Sequence, residues 1–317
     1  MSTGCRYFST SLLLWIFTHP IHLGNRATMS WQRLIRFEDE AGQEAFGEPI
    51  VDNADDVQTL VDQGSLVVKV FTGEGPFDLQ PTSREVKAKK LLPLLYPRDV
   101  PIVKCIGLNY TAHIKEAGRT PPPYPSFFVK PRGSIASHDE DVPIPPICQN
   151  DQVDWEGELS IVIGRDGKNI RKEDALAYVA GYVVSNDVSA RKWQRDPAYA
   201  GGVPQWCFSK GFDKWAPVGA VLVSPRVVGK ADNLRIRTFV DGETMQDSST
   251  ADLRFDVEDI IAFVSQGTTL EKGTVIMTGT PSGVGMGRKP PVYLQDGQVV
   301  EVRIEQLGSV KNRMKFE

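Results

Sequence analysis

The chain reads as an α+β protein built mostly of strands, and three observations carry that reading. Short β-branched, apolar runs recur along most of its length, while helical spacing is confined to a few short stretches. Asp-Gly pairs at Asp166-Gly167, Asp241-Gly242 and Asp296-Gly297 read as hairpin turns, because glycine accepts positive φ. From Val299 to Leu307 the pattern alternates, with Val300, Val302 and Ile304 on one face and Glu301, Arg303 and Glu305 on the other. That is the period of a half-buried strand.

Taken in order, the first 37 residues hold no Asp or Glu but carry Arg6, Arg26, Arg33 and Arg36 with many hydroxyl residues. Residues 1–28 therefore read either as a mitochondrial presequence or as an extension upstream of a start at Met29. The apolar run Leu12 to Phe17 is six residues long, far short of the ~20 a membrane helix needs. Residues 29–98 form a small β-rich module. In it, Val57, Leu60 and Val61 predict a helix within Asn53 to Gly64, and Ser65 to Phe71 predicts a strand. Residues 99–317 form the larger domain. It has predicted helices at Tyr110 to Ala117, Lys172 to Ala180 and Val257 to Ser265, the last capped by Asp256 and stopped by Gly267. Pro121 to Pro123 and Pro143 to Pro146 are stiff loops suited to shaping an entrance.

A net charge of −4 offers no basic stripe for phosphate binding, which excludes a nucleic-acid partner. Nothing marks a membrane partner either. The four cysteines, Cys5, Cys105, Cys148 and Cys207, have no CxxC spacing, so neither a disulfide framework nor a zinc site is suggested.

Chemistry concentrates in four places. In Asp154-Trp155-Glu156-Gly157-Glu158, Glu156 and Glu158 stand two apart at the mouth of an apolar run, so a strand turns both to one face ~6–7 Å apart. Anions crowded beside a core need compensation, and a divalent cation supplies it. Asp187 closes a second apolar run and completes a hard-metal triad; solvated strand-end acids are the bland alternative. His113 and Glu116 lie three apart on a short predicted helix, where a carboxylate fixes the imidazole tautomer as a general base requires. Arg191 and Gln194 follow Asp187 at helical spacing, suited to gripping a carboxylate. Lys210 lies between Phe208 and Phe212, and the Gly-rich run from Thr278 through Gly279 and Thr280 to Gly287 makes an anion nest. That run has neither the P-loop nor the dinucleotide pattern, so a small carboxylate suits it better than a nucleotide.

The ordered motifs GLNYxxHxxE (107–116), DWExEL (154–159), DVSARxWQ (187–194), KxFD (210–213) and TGTPxGVG (278–285) resemble the fumarylacetoacetate hydrolase family, from about Lys104 to Lys311. RKPPVYL at 288–294 and EQLG at 305–308 are most similar to its eukaryotic domain-containing subgroup, which includes mitochondrial oxaloacetate tautomerases. The resemblance implies a mixed β-roll catalytic domain and Mg²⁺, with Mn²⁺ or Ca²⁺ as alternatives, on Glu156, Glu158 and Asp187. It implies His113, Glu116 and Lys210 as catalytic residues, and Arg191, Gln194, Gly279 and Thr280 as substrate-binding ones. The substrate implied is a small dicarboxylate or diketo acid, processed through an enolate that the ion stabilises. Keto–enol tautomerisation of oxaloacetate is the leading expectation. C–C hydrolysis of the acylpyruvase or fumarylacetoacetase kind is second, and decarboxylation or a hydroxymuconate-type isomerisation third; an inactive scaffold is the non-enzymatic alternative. A homodimer is also implied, in the mitochondrion if residues 1–28 are a presequence and in the cytoplasm otherwise. Two departures bear on substrate identity: Lys192 stands where the family often has an acid, and residues 195–205 form a longer Gly- and Pro-containing loop.

Overall fold

Strand Gly157–Ile163 is buried along its whole length. Leu159, Ile161 and Ile163 enter one apolar cluster, and Val162 enters another on the opposite face. A strand covered on both faces reads as a continuous apolar run rather than an alternating one. The computed structural model, which describes Met1 and residues 30–317, sets this strand inside a ten-stranded sheet. Across it the strands run Glu44–Pro49, Val67–Thr72, Gln80–Leu91, Arg33–Asp39, Val221–Val223, Val179–Asn186, Gly157–Ile163, Val275–Met277, Val103–Gly107 and Ser126–Lys130. The Val275–Met277 and Val103–Gly107 neighbours are parallel; the other adjacent pairs are antiparallel. Arg33 opposite Val223 joins the strands of residues 33–91 to the rest of this sheet.

A second sheet, in the order Glu243–Ser249, Arg235–Val240, Val299–Ile304, Gly308–Phe316 and Val142–Ile144, packs on the first. Ile236, Val300, Val302, Ile304 and Met314 share a core with Leu159, Ile161 and Tyr182, to which helix Val257–Val264 adds Ile260 and Ile261. The fold is α+β and mostly β, as the sequence predicts. No helix among the described residues is long and apolar enough to cross a membrane. The expected leader and the alternative start at Met29 lie outside the described residues.

Several local expectations hold. Helix Val57–Asp62 follows a 3₁₀ turn. Asp256 caps the 257–264 helix by accepting from the Asp259 N–H at 2.8 Å. Asp241 and Gly242, at φ 49° and 84°, turn the hairpin between Arg235–Val240 and Glu243–Ser249. Other expectations need correction. Asp166-Gly167 joins no hairpin: Gly167–Lys168 pairs with Thr269–Leu270, and a Cβ on Gly167 would meet the Tyr178 ring at 2.4 Å. Asp296-Gly297 does turn, with Gly297 at φ 80°, but it leads into strand Val299–Ile304 from a segment without strand structure. Residues Lys172–Tyr178 are 3₁₀ rather than α, because Val179 and Ala180 already belong to the buried strand Val179–Asn186.

One pairing positions everything that follows. Strands Gly157–Ile163 and Val179–Asn186 are antiparallel with Gly157 opposite Asn186. Glu156, just before one strand, therefore lies beside Asp187, just after the other, and the Asp187 N–H donates to the Glu156 carbonyl at 2.8 Å. The second sheet presses on the same point: a Cβ on Gly157 would meet Thr238 Oγ1 at 2.2 Å and Val302 Cγ1 at 2.9 Å. Gly157→Ala is expected to cost about 1–3 kcal/mol through overpacking. Urea unfolding measures this, and an unchanged midpoint would show that the two sheets can separate locally.

Candidate active site

Acidic oxygens of Glu156, Glu158 and Asp187 lie within 4.8 Å of one another, and all three residues are buried. The triad anticipated from the sequence is thus assembled, and three cations surround it. Lys210 Nζ donates to Glu156 Oε2 at 2.7 Å, Asp187 Oδ2 at 2.6 Å and Ser189 Oγ at 2.7 Å, which uses all three of its protons. Arg191 donates through Nη1 to Glu156 Oε1 at 2.6 Å and through Nε to Asp154 Oδ2 at 2.8 Å. Lys130 Nζ donates to Asp187 Oδ1 and to the Trp215 carbonyl, each at 2.5 Å.

Asp154 and Lys130 were not among the residues singled out. Both are fully buried. Asp154 accepts the N–H groups of Trp155, Gly285 and Met286 as well as Arg191 Nε, so it anchors the Gly-rich loop to the arginine. A signal for it existed: Asp154, Glu156 and Glu158 continue one alternating series. Lys130 ends an apolar strand just as Asp187 does, a weaker sign.

Four carboxylates (Asp154, Glu156, Glu158, Asp187) thus face three cations (Lys130, Arg191, Lys210), leaving one negative charge without a cation of its own. Glu158 bears the consequence. Burial, with Asp187 and Glu156 alongside, pushes its carboxyl well above the usual range, opposed by Lys210 and the Gly279 N–H. Burial would also raise Glu156, but Lys210 and Arg191 overcome it and hold that carboxyl well below the usual range. Burial pulls Lys210 down, yet Asp187 and Glu156 carry it above the ordinary lysine value. Hard oxygen donors short of positive charge fit a divalent cation, which Glu156, Glu158 and Asp187 would hold.

Beside the triad, His113 Nδ1 meets Glu116 Oε2 at 2.8 Å, and Glu116 Oε1 accepts the Gly283 N–H at 2.8 Å. Burial works to raise Glu116, but its bonds to His113 and Gly283 hold it low. A carboxylate facing Nδ1 sets the proton there and leaves Nε2 to act. Helix Thr111–Glu116 is held down by Asp252, which accepts the Ala112 N–H at 2.9 Å.

The remaining expected residues brace these groups. Gln194 Oε1 accepts Arg191 Nη1 at 3.0 Å. The Gly279 N–H donates to Glu158 Oε2 at 2.7 Å from a backbone at φ 103°, where a side chain would be strained. Thr280 Oγ1 donates to the Gly157 carbonyl at 2.9 Å and accepts Gln246 Nε2 at 2.8 Å. All ten expected residues therefore gather at one end of the strand pair, and most of their polar atoms are engaged with one another.

A two-sheet, mostly β scaffold with a buried carboxylate triad beside a His–Glu pair defines a class of protein, and the comparisons agree with it. Residues 102–315 match the family model described as "Fumarylacetoacetate (FAA) hydrolase C-terminal". The chain belongs to the fumarylacetoacetate hydrolase family. It is 44% identical over 212 residues to a mitochondrial oxaloacetate tautomerase of Homo sapiens, covering 67% of this chain and 66% of that relative. The crystal structure of a 2-hydroxyhepta-2,4-diene-1,7-dioate isomerase from Mycobacterium marinum superposes with a TM-score of 0.71 at 30% identity, over 90% of this chain and 99% of that one. A fumarylpyruvate hydrolase from Pseudomonas aeruginosa, solved with Mn²⁺ and pyruvate, superposes with a TM-score of 0.62 at 30% identity, over 73% and 93% of the two chains.

The charge imbalance separates two of the acids experimentally. Asp187→Asn strips two buried lysines of a partner, which costs about 3–5 kcal/mol. Glu158→Gln removes the charge that its surroundings disfavour, so the metal-free variant is expected to unfold no earlier than the parent chain. Thermal unfolding in EDTA compares them, and equal destabilisation by both variants would contradict this charge assignment.

Proposed function

We propose that the protein is a Mg²⁺-dependent enzyme that interconverts the keto and enol forms of oxaloacetate. The observation that carries this reading is the triad Glu156, Glu158 and Asp187 buried beside the His113–Glu116 pair. The substrate rests on relatives named as oxaloacetate tautomerases. Carboxylate donors suit Mg²⁺, with Mn²⁺ and Ca²⁺ as competitors.

An ion held by the triad supplies Lewis acidity toward the oxygens of a 2-oxo acid. This chain's own residues move the proton. With Nδ1 tied to Glu116, His113 takes a proton at Nε2 from the carbon between the carbonyls and delivers it to the enolate oxygen, giving the enol; the reverse transfer restores the keto form. Glu116 stabilises the imidazolium in between. Arg191, whose Nη2 has no partner among the described residues, offers that N–H to the substrate carboxylate, and Gln194 fixes the guanidinium. Lys210 bridges two of the acids, and it reaches the oxygen on which negative charge grows by giving up one of its three protein partners. Gly279 and Thr280 hold Glu158 and the loop in place. The mitochondrion is the proposed location, supported by the composition of residues 1–28 and the names of the relatives.

Loss of enol absorbance after adding oxaloacetate tests the reaction. The protein is expected to accelerate it, and EDTA to abolish the acceleration. Glu158→Gln should lose bound metal and activity together. His113→Ala should keep the metal and lose about 10²–10⁴-fold in rate; full activity in that variant would remove His113 from the mechanism. The same imidazole could instead activate water for C–C hydrolysis, a reading favoured by the structural likeness to a fumarylpyruvate hydrolase. Stoichiometric pyruvate release from an acylpyruvate, with no effect on oxaloacetate, would select that alternative. Pyruvate and CO₂ from oxaloacetate would select decarboxylation.

A further inference from the structure

A 570 Å³ pocket is lined by Arg119, Arg195, Pro197, Gly201, Gly202 and Pro204. Neither guanidinium has a hydrogen bond or a carboxylate partner among the described residues. Arg171, Arg235 and Arg303, in contrast, each hold a carboxylate even at the surface. Both lie at the C-terminal ends of helices that build the candidate site. Arg195 ends helix Arg191–Arg195, one turn beyond Arg191 and on the same face. Arg119 follows Glu116 by three residues, just past helix Thr111–Glu116.

These charges are close enough to be felt. Partial burial lowers the Arg195 pKa, and Arg191 and Arg119 lower it further, with Tyr293 opposing. Arg191, 5% exposed, contributes the unpartnered Nη2 on the inner side. Arg195 is thus felt both by Arg191, which holds the buried acids, and by Arg119, which lines the same pocket. Like charges gathered this way favour an anion, and a planar carboxylate matches two guanidinium forks. Gly201 and Gly202 leave open space where side chains would stand, so the opposite wall does not crowd a small ligand. This loop is the stretch that departs from the family pattern in the sequence.

We propose that Arg119 and Arg195 form a carboxylate-recognition subsite that receives the distal carboxylate of a small dicarboxylic acid whose reacting end lies at the acidic triad. The pair then determines specificity for dicarboxylic over monocarboxylic 2-oxo acids. This rests on the function proposed above, which places the reacting end of the substrate at the triad.

Two stable probes isolate the subsite from turnover: malate and lactate, which share a 2-hydroxy acid end and differ in the second carboxylate. In calorimetric titrations with Mg²⁺ present, the parent chain should prefer malate. The double variant Arg119→Gln/Arg195→Gln should weaken malate by about 10–100-fold, as expected for lost charge-assisted hydrogen bonds, and leave lactate unchanged. Arg195→Lys should recover part of the loss. Both arginines are exposed, and matching thermal midpoints would verify that the fold is intact. No preference in the parent chain, or an undiminished preference in the double variant, overturns the subsite. If oxaloacetate tautomerisation is not accelerated but the malate preference is present and lost on substitution, the proposed reaction falls and the subsite stands. If tautomerisation is accelerated and the double variant keeps the parent KM for oxaloacetate, the subsite alone falls.

Discussion

Burying four carboxylates at the end of one strand pair is the constraint on which the rest of this protein depends. The register that sets Gly157 opposite Asn186 brings Glu156 and Asp187 side by side. Two like charges in a low-dielectric interior are costly unless each is compensated. The fold answers with Lys130, Arg191 and Lys210, drawn from three separate segments, and with backbone N–H groups of Trp155, Gly279, Gly285 and Met286. Each donor is fixed by an element that packs for other reasons, so the site and the two-sheet core stabilise the same geometry.

The compensation is incomplete. One negative charge remains, and the strain falls on Glu158, whose carboxyl is driven up by burial and its neighbours. A dication on the triad would turn the deficit into a surplus of one positive charge, which favours an anionic substrate. His113 and Glu116 feel this cluster through charge, His113 acting on Glu156 and Arg191 on Glu116, but share no hydrogen bond with its lysines: Glu116 draws its bonds from His113 and Gly283. The acid–base pair can therefore keep its orientation while the charge state of the triad changes.

Much of the site was legible before the fold. Glu156, Glu158 and Asp187 follow from alternation at the ends of apolar runs, and His113–Glu116 from three-residue spacing. Lys210 stood out in the sequence only by its aromatic neighbours; the structure adds its three protein partners. Thr280 and Gly279 read as an anion nest; the Gly279 N–H meets a carboxylate of the chain itself, Glu158, and Thr280 Oγ1 donates to the Gly157 carbonyl. Of the three Asp-Gly pairs, only Asp241-Gly242 joins two paired strands. At Gly167 the glycine answers to the ring of Tyr178 rather than to turn geometry, a contact that no local pattern encodes.

The sequence by itself determined the strand-rich class, the identity of the clustered acids and the His–Glu pair, because these depend on periods of two and of about 3.6 residues that the chain carries locally. Only the tertiary structure decided which cations answer those acids, since Lys130 and Lys210 are remote from them in sequence and Arg191, though close to Asp187, turns to Asp154 and Glu156. It also decided that Arg119 and Arg195 share one pocket without a partner. Long-range register is set by how whole faces bury against each other, and no window of neighbouring residues contains that information.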